Sequence, residues 1–175
     1  MKNLLTLVNK SNLVNLVGFN LTWFGLILFG NIFIPAALIL LMLHLYYQAE
    51  KNELPLIVIV AVTGVLLDST LVYSGFFIFP DTQHIPFWLT TLWFCFAATI
   101  RHSLGFLASS KIRQILLGGV FAPLSYLAGA NFSVVYLTQS LGFSYLLLAC
   151  LWGPLMVLIF TISDGLFIEE EHYVR

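Results

Sequence analysis

Residues 54–77 read LPLIVIVAVTGVLLDSTLVYSGFF. One charged side chain, Asp68, interrupts this run. At about 1.5 Å per residue a helix of that length reaches about 36 Å, enough to cross a hydrocarbon core about 30 Å thick. The ten-residue alternation of a membrane barrel is absent, and an open strand in lipid would leave backbone groups without partners. The stretch therefore predicts a membrane-spanning helix.

Working outward, the same pattern recurs. Apolar segments at about 12–29, 32–48, 87–108, 112–130 and 143–163 predict five more spans joined by short loops. Asn31 and Pro35 mark a tight turn between the first two, and Pro55 suits the first turn of the third. Pro80, Asp81, Gln83, His84 and Pro86 read as a loop, and Ser109-Ser110-Lys111 breaks the chain before the fifth span. Residues 131–142 read as a mildly polar link, and 164–175, with Glu169-Glu170-Glu171, as a solvated cytoplasmic tail. The first segment is long for a signal peptide and runs into the next without a small-residue cleavage site, so it reads as a retained helix. The expected architecture is all-α: one polytopic transmembrane domain, a six-span helix bundle covering residues 1–175.

Composition agrees. Hydrophobic residues make up 60% of the chain and charged residues 9%, far too little charge to cover a soluble surface of this size. Lys2, Lys10, Lys51, Lys111, Arg113 and Arg175 all fall on one side of a six-span arrangement, and the opposite loops carry no Lys or Arg. The positive-inside rule then puts both termini in the cytoplasm, and the location expected is a bacterial inner membrane. Trp88 and Trp93 with Phe76, Phe77 and Phe79 suit an outer aromatic belt; Tyr46 and Tyr47 suit the inner one. A net charge of −1 with no basic stripe excludes a nucleic-acid partner. Membrane lipids are the expected surroundings, with a homodimer or another membrane protein as partner.

Charged groups inside a span are costly and normally face the protein interior. Asp68 and Arg101 are such groups. Helical spacing puts Ala61, Gly64, Asp68 and Gly75 on one face, and Ala97, Arg101, Gly105 and Ala108 on another. Arg101 is free to meet Asp68 or to reach toward the headgroups. Arg101-His102-Ser103 is the densest polar cluster in any span. Asn20 and Trp23 lie one turn apart on the first helix, opposite Asn15, Gly18, Thr22 and Gly25. Gly118, Ala122, Ser125 and Gly129 form a close-packing stripe on the fifth helix, beside Tyr126 and a kinking Pro123. A polar binding pocket is accordingly expected from Asp68, Arg101, His102, Ser103, Asn20, Trp23 and Tyr126, although all are equally readable as packing devices.

Absent motifs narrow the chemistry. No Walker A loop, G-x-S-x-G elbow or H-E-x-x-H is present. No Asp/Glu/His cluster stands at ligand spacing, so no metal and no cofactor is expected, and no catalytic residue is legible. Cys95 and Cys150, without a C-x-x-C pair, read as buried hydrophobes.

Pro86-Phe87-Trp88-Leu89 through Leu92-Trp93, then Phe96-Ala97 and His102-Ser103-Leu104, resemble a bacterial membrane family known as domain of unknown function 2878. Gly118-Gly119, Pro123-Leu124-Ser125-Tyr126 to Ala128-Gly129, Asn20, Trp23 and Leu67-Asp68-Ser69 fit the same pattern. The chain departs from it at Ala122, where the pattern has Gly, and at Phe106, where it has Trp. The resemblance implies a polytopic inner-membrane protein with no established activity. Some relatives are labelled permeases, and some are encoded near cyclopropane-fatty-acid-type lipid enzymes. It therefore favours a permease-like or lipid-handling role, over an accessory structural subunit or a membrane-embedded lipid-modifying enzyme.

Overall fold

A computed structural model describes the backbone of residues 2–173 and the side chains of residues 10–167. The side chains of Lys2, Glu169, Glu170, Glu171, His172 and Arg175 lie outside the described residues. The described chain is mainly helical. Helix α1 covers Lys2–Phe29, and one 3-10 turn at Gly30–Phe33 leads into α2 at Ile34–Tyr47. Helix α3 covers Glu53–Tyr73, α4 Phe87–Ala97, α5 Lys111–Asn131 and α6 Leu141–Tyr173. Two strands of two residues each, β1 at Phe77–Ile78 and β2 at Tyr136–Leu137, pair antiparallel.

Four stretches are long and apolar enough to cross a membrane: Lys10–Tyr47, Glu53–Tyr73, Lys111–Asn131 and Leu141–Phe167. Their outer faces carry large apolar side chains in the open, among them Leu13, Val17, Leu21, Phe24, Met42, Leu66, Phe121 and Leu146. A water-soluble protein rarely exposes apolar faces of that extent, so lipid is their natural solvent.

Local chemistry sets the helix ends. Gly30 takes a left-handed backbone (φ +55°), and Asn31 Oδ1 accepts a hydrogen bond from Trp88 N (3.1 Å) at the start of α4. Pro35 sits in the first turn of α2, where its missing N–H costs nothing. Ser110, with extended backbone, caps α5 through Arg113 N.

Three expectations change. The third helix stops at Tyr73, four residues before Phe77, because Gly75 turns left-handed (φ +72°) and the chain continues as β1. The sixth helix continues past Ser163 through the segment expected to be a tail. The largest change is in the fourth span, expected as a helix to Ala108 but α-helical only to Ala97. Beyond it the backbone folds into successive tight turns, His102 N donating to Thr99 O (3.1 Å) and Leu104 N to the same oxygen (2.9 Å). The cause lies on α1. Asn15 Nδ2 donates to Ala98 O (2.9 Å), and Asn15 Oδ1 accepts from Ser103 N (3.2 Å) and Ser103 Oγ (2.6 Å). Non-helical backbone at membrane depth persists only where protein satisfies its polar groups. The common face drawn through Ala97, Arg101, Gly105 and Ala108 therefore does not exist.

The chain forms two compact units. Unit 1 holds residues 1–62 and 87–106; unit 2 holds 63–86 and 107–175. In unit 1, α1 and α2 make a tight hairpin in which Gly25 lies directly on the Phe33 ring, leaving no room for a Cβ. In unit 2, α5 packs along α6. Gly118 abuts Met156, as the small-residue stripe predicts, and Gly119 approaches the Ala149 carbonyl (3.3 Å from an added Cβ). Phe76, Phe77 and Phe79 do not form an exterior belt. They are buried, and Phe77 stacks on Tyr126 with ring centroids 5.1 Å apart. Trp93 is likewise buried within unit 1, whereas Tyr46 and Tyr47 stand exposed. Cys95 is buried as expected, but Cys150 is exposed.

Candidate functional site

Three polar side chains from distant parts of the sequence converge in unit 1. His44 comes from the last turn of α2, Glu53 from the first residue of α3, and His102 from the turns after α4. All three are buried, Glu53 at 1% exposure. His44 Nε2 lies 2.8 Å from Glu53 Oε1, and His102 Nε2 lies 3.0 Å from Glu53 Oε2 and 3.1 Å from Oε1. The imidazoles meet edge to face with centroids 4.7 Å apart. An ionised carboxylate only accepts, so in this arrangement each Nε2–H donates to it.

Each member is held from behind. Glu53 Oε2 also accepts from Glu50 N (2.8 Å), and Glu53 N donates back to Glu50 O (3.2 Å). These reciprocal bonds resemble a capping box at the start of α3. Between them Asn52 adopts a left-handed backbone (φ +65°), a conformation Asn tolerates well. His44 Nδ1 lies 3.3 Å from both Gln48 Oε1 and Asn15 Nδ2. His102 is aimed at Glu53 by the irregular turns that Asn15 stabilises. Ordinary helix through this segment would turn His102 about 100° from Arg101 and dictate both directions. The break removes that constraint.

A groove of about 350 Å³ opens beside this group. Asn15, His44 and Gln48 line one part of it, and Val14, Phe19, Leu40, Leu41 and Leu43 much of the remainder.

Of the seven residues expected to form one pocket, Asn20, Trp23, Arg101, His102 and Ser103 belong to unit 1 and Asp68 and Tyr126 to unit 2. His102, Arg101 and Ser103 do lie together. Arg101 Nε pairs with Glu50 Oε2 (3.0 Å) in the α2–α3 connection, with both side chains partly in the open. Ser103 binds Asn15. Asp68 and Tyr126 belong to unit 2, where the fully buried Asp68 Oδ1 accepts from Tyr126 Oη (2.8 Å). Asn20 is exposed and donates to its own helix at Leu16 O (2.8 Å). It thus turns away from the packed face formed by Asn15, Thr22 and Gly25. Trp23 is half-buried against Phe24, with ring centroids 4.8 Å apart.

His44, Glu53, Asn15 and Glu50 were missed as site residues. The sequence reading found no ligand cluster, yet His44, Glu53 and His102 each offer a metal-ligating atom, all within 4.8 Å of one another. Their one sequence signal is that His44 and Glu53 bracket a short polar connection between two apolar runs. Polar residues are expected there for solvation alone.

A family model described as protein of unknown function (DUF2878) matches residues 12–158. The chain belongs to this family. The match takes in Asn15, His44, Glu53, Asp68, Arg101, His102 and Tyr126. No curated protein and no solved structure gives a significant match.

Proposed function

We propose that this DUF2878 protein is a permease-like or lipid-handling protein of the bacterial inner membrane. It crosses the bilayer six times with both termini in the cytoplasm, and it takes an amphiphile into the groove of unit 1. The one-sided distribution of Lys and Arg supports that topology. Helix α4, at about 16 Å, is too short to cross alone. The satisfied turns after Ala97 would complete the fourth crossing, buried in protein rather than bare to lipid.

The groove carries the functional reading. Its volume of about 350 Å³ falls in the range of small-ligand sites. Its lining joins a hydrogen-bonding patch, Asn15, His44 and Gln48, to hydrocarbon walls. A molecule with a polar head and an acyl segment matches both.

Gly18 supplies the test. It lines the groove, and nothing lies within 4 Å of a Cβ built there. Gly18→Phe should plug the groove without disturbing the helix. Native mass spectrometry of protein purified in mild detergent should find bound phospholipid on the wild type and little on Gly18→Phe, with unchanged melting. Equal lipid retention by the two proteins, or none by the wild type, would defeat the amphiphile reading and favour an accessory structural role.

A further inference from the structure

We propose that His44, Glu53 and His102 form a three-ligand site for a divalent transition-metal ion of the zinc class. Two imidazoles and one carboxylate make an N,N,O donor set characteristic of catalytic zinc centres, which keep a fourth position open. Calcium and magnesium prefer all-oxygen sites, and copper(I) prefers sulfur, so none of the three suits these ligands.

The spacing fits. Zinc bonds to nitrogen and oxygen of about 2.0–2.1 Å place neighbouring ligand atoms of a tetrahedron about 3.3 Å apart. With Glu53 Oε1 as the shared ligand atom, its separations from His44 Nε2 and His102 Nε2, 2.8 and 3.1 Å, need to open by only a few tenths of an ångström, and the ligand atoms of all three residues already lie within 4.8 Å of one another. Backbone contacts already hold the carboxylate, through Glu50 N. Without an ion each Nε2–H donates to Glu53. With an ion each imidazole carries a proton on Nδ1 and offers the Nε2 lone pair. For His44 that Nδ1–H points to Gln48 Oε1, the outer-sphere acceptor that metal-bound histidines typically have, and Asn15 Nδ2, which lies 3.3 Å from the same nitrogen, keeps only its bond to Ala98 O.

Electrostatics favour the ion as well. A carboxylate at 1% exposure is a buried negative charge, and such a charge is costly unless paired. A divalent cation neutralises it at contact distance. The open fourth position would take water. His44 also borders the groove, yet ion binding does not depend on what the groove holds.

The full-length protein in detergent micelles, stripped with chelator and titrated with Zn²⁺ or Co²⁺, provides the test. One ion should bind per chain, and bound Co²⁺ should show the intense visible absorption of four-coordinate geometry. X-ray absorption of the zinc-loaded wild type should find two imidazoles and a light oxygen or nitrogen shell at about 2.0–2.1 Å. His102→Cys should add a sulfur neighbour at about 2.3 Å. Gln48→Leu should weaken binding about 10–100-fold while sparing helicity. Glu53→Gln and His102→Ala should lose the ion. If those two variants fail to fold, the wild-type absorption spectrum decides alone. No saturable binding to folded wild type, a zinc shell without imidazole, or full binding by a folded Glu53→Gln would each overturn the proposal, leaving the three side chains as a hydrogen-bonded lock.

Discussion

Two asparagines five positions apart on α1 should respond oppositely to the same substitution. Asn15 is buried and makes three hydrogen bonds to the turns after α4: to Ala98 O, and from Ser103 N and Ser103 Oγ. Asn20 is exposed and bonds only within its own helix, at Leu16 O. Hydrogen bonds between membrane helices average about 0.6 kcal/mol each, which makes about 2 kcal/mol a floor for Asn15→Leu. Two of the groups left behind are backbone, and each orphaned buried group costs about 1–3 kcal/mol. A loss of about 2–4 kcal/mol is therefore expected for Asn15→Leu. For Asn20→Leu, which trades an exposed amide for an apolar side chain, the change should stay within about 0.5 kcal/mol. Reversible unfolding in mixed micelles, followed by far-ultraviolet circular dichroism, measures both. Equal shifts, or a larger one for Asn20, would refute the claim that Asn15 holds the broken end of the fourth helix.

Tyr126→Phe removes the hydroxyl that donates to the buried Asp68 carboxylate and should lower stability by about 1–3 kcal/mol; Asp68→Asn, which keeps the acceptor oxygen, should cost less in the same titration. Gly118→Val drives a side chain into Met156 and the Trp152 carbonyl and should destabilise by about 1–3 kcal/mol. Gly142→Ala, with open space around it, should be neutral or gain up to about 1 kcal/mol; thermal melting of the pair separates close packing from a general intolerance of helical glycine replacement. Glu50→Gln breaks an ion pair whose partners are 26% and 50% exposed, so double-mutant cycles with Arg101→Gln should find a coupling of no more than about 1 kcal/mol.

Helical class and apolar spans were legible because hydropathy over some twenty residues is a local signal. The turn at Asn31, the break at Ser109-Ser110-Lys111 and the Gly118 stripe were legible for the same reason: each is written in nearby residues. The break at Ala97 was not. Residues 87–108 read as continuous apolar helix, and the side chain that ends the helix there, Asn15, lies 83 positions from the carbonyl it binds. The His–Glu–His group was hidden similarly. His44 and Glu53 sit at helix ends, where a polar residue is unremarkable, and only tertiary folding brings His102 to them. Asn20 and Trp23 stand out as a polar pair one turn apart on α1, whereas Asn15 lies on the opposite face with Gly18, Thr22 and Gly25, where it reads as a packing residue.

The contact of Phe33 with Gly25 spans only eight positions of chain, and closing so short a loop takes on the order of tens of nanoseconds. Synthesis adds residues at about 5–20 per second, so the first helical hairpin, once clear of the ribosome, closes within a single elongation step. His44 and Asn15, both on that hairpin, can therefore meet before His102, forty-nine residues beyond Glu53, emerges to complete the group. The order of birth at the ribosome thus runs from preformed cradle to final ligand, and a ribosome stalled before residue 102 would display a half-built centre.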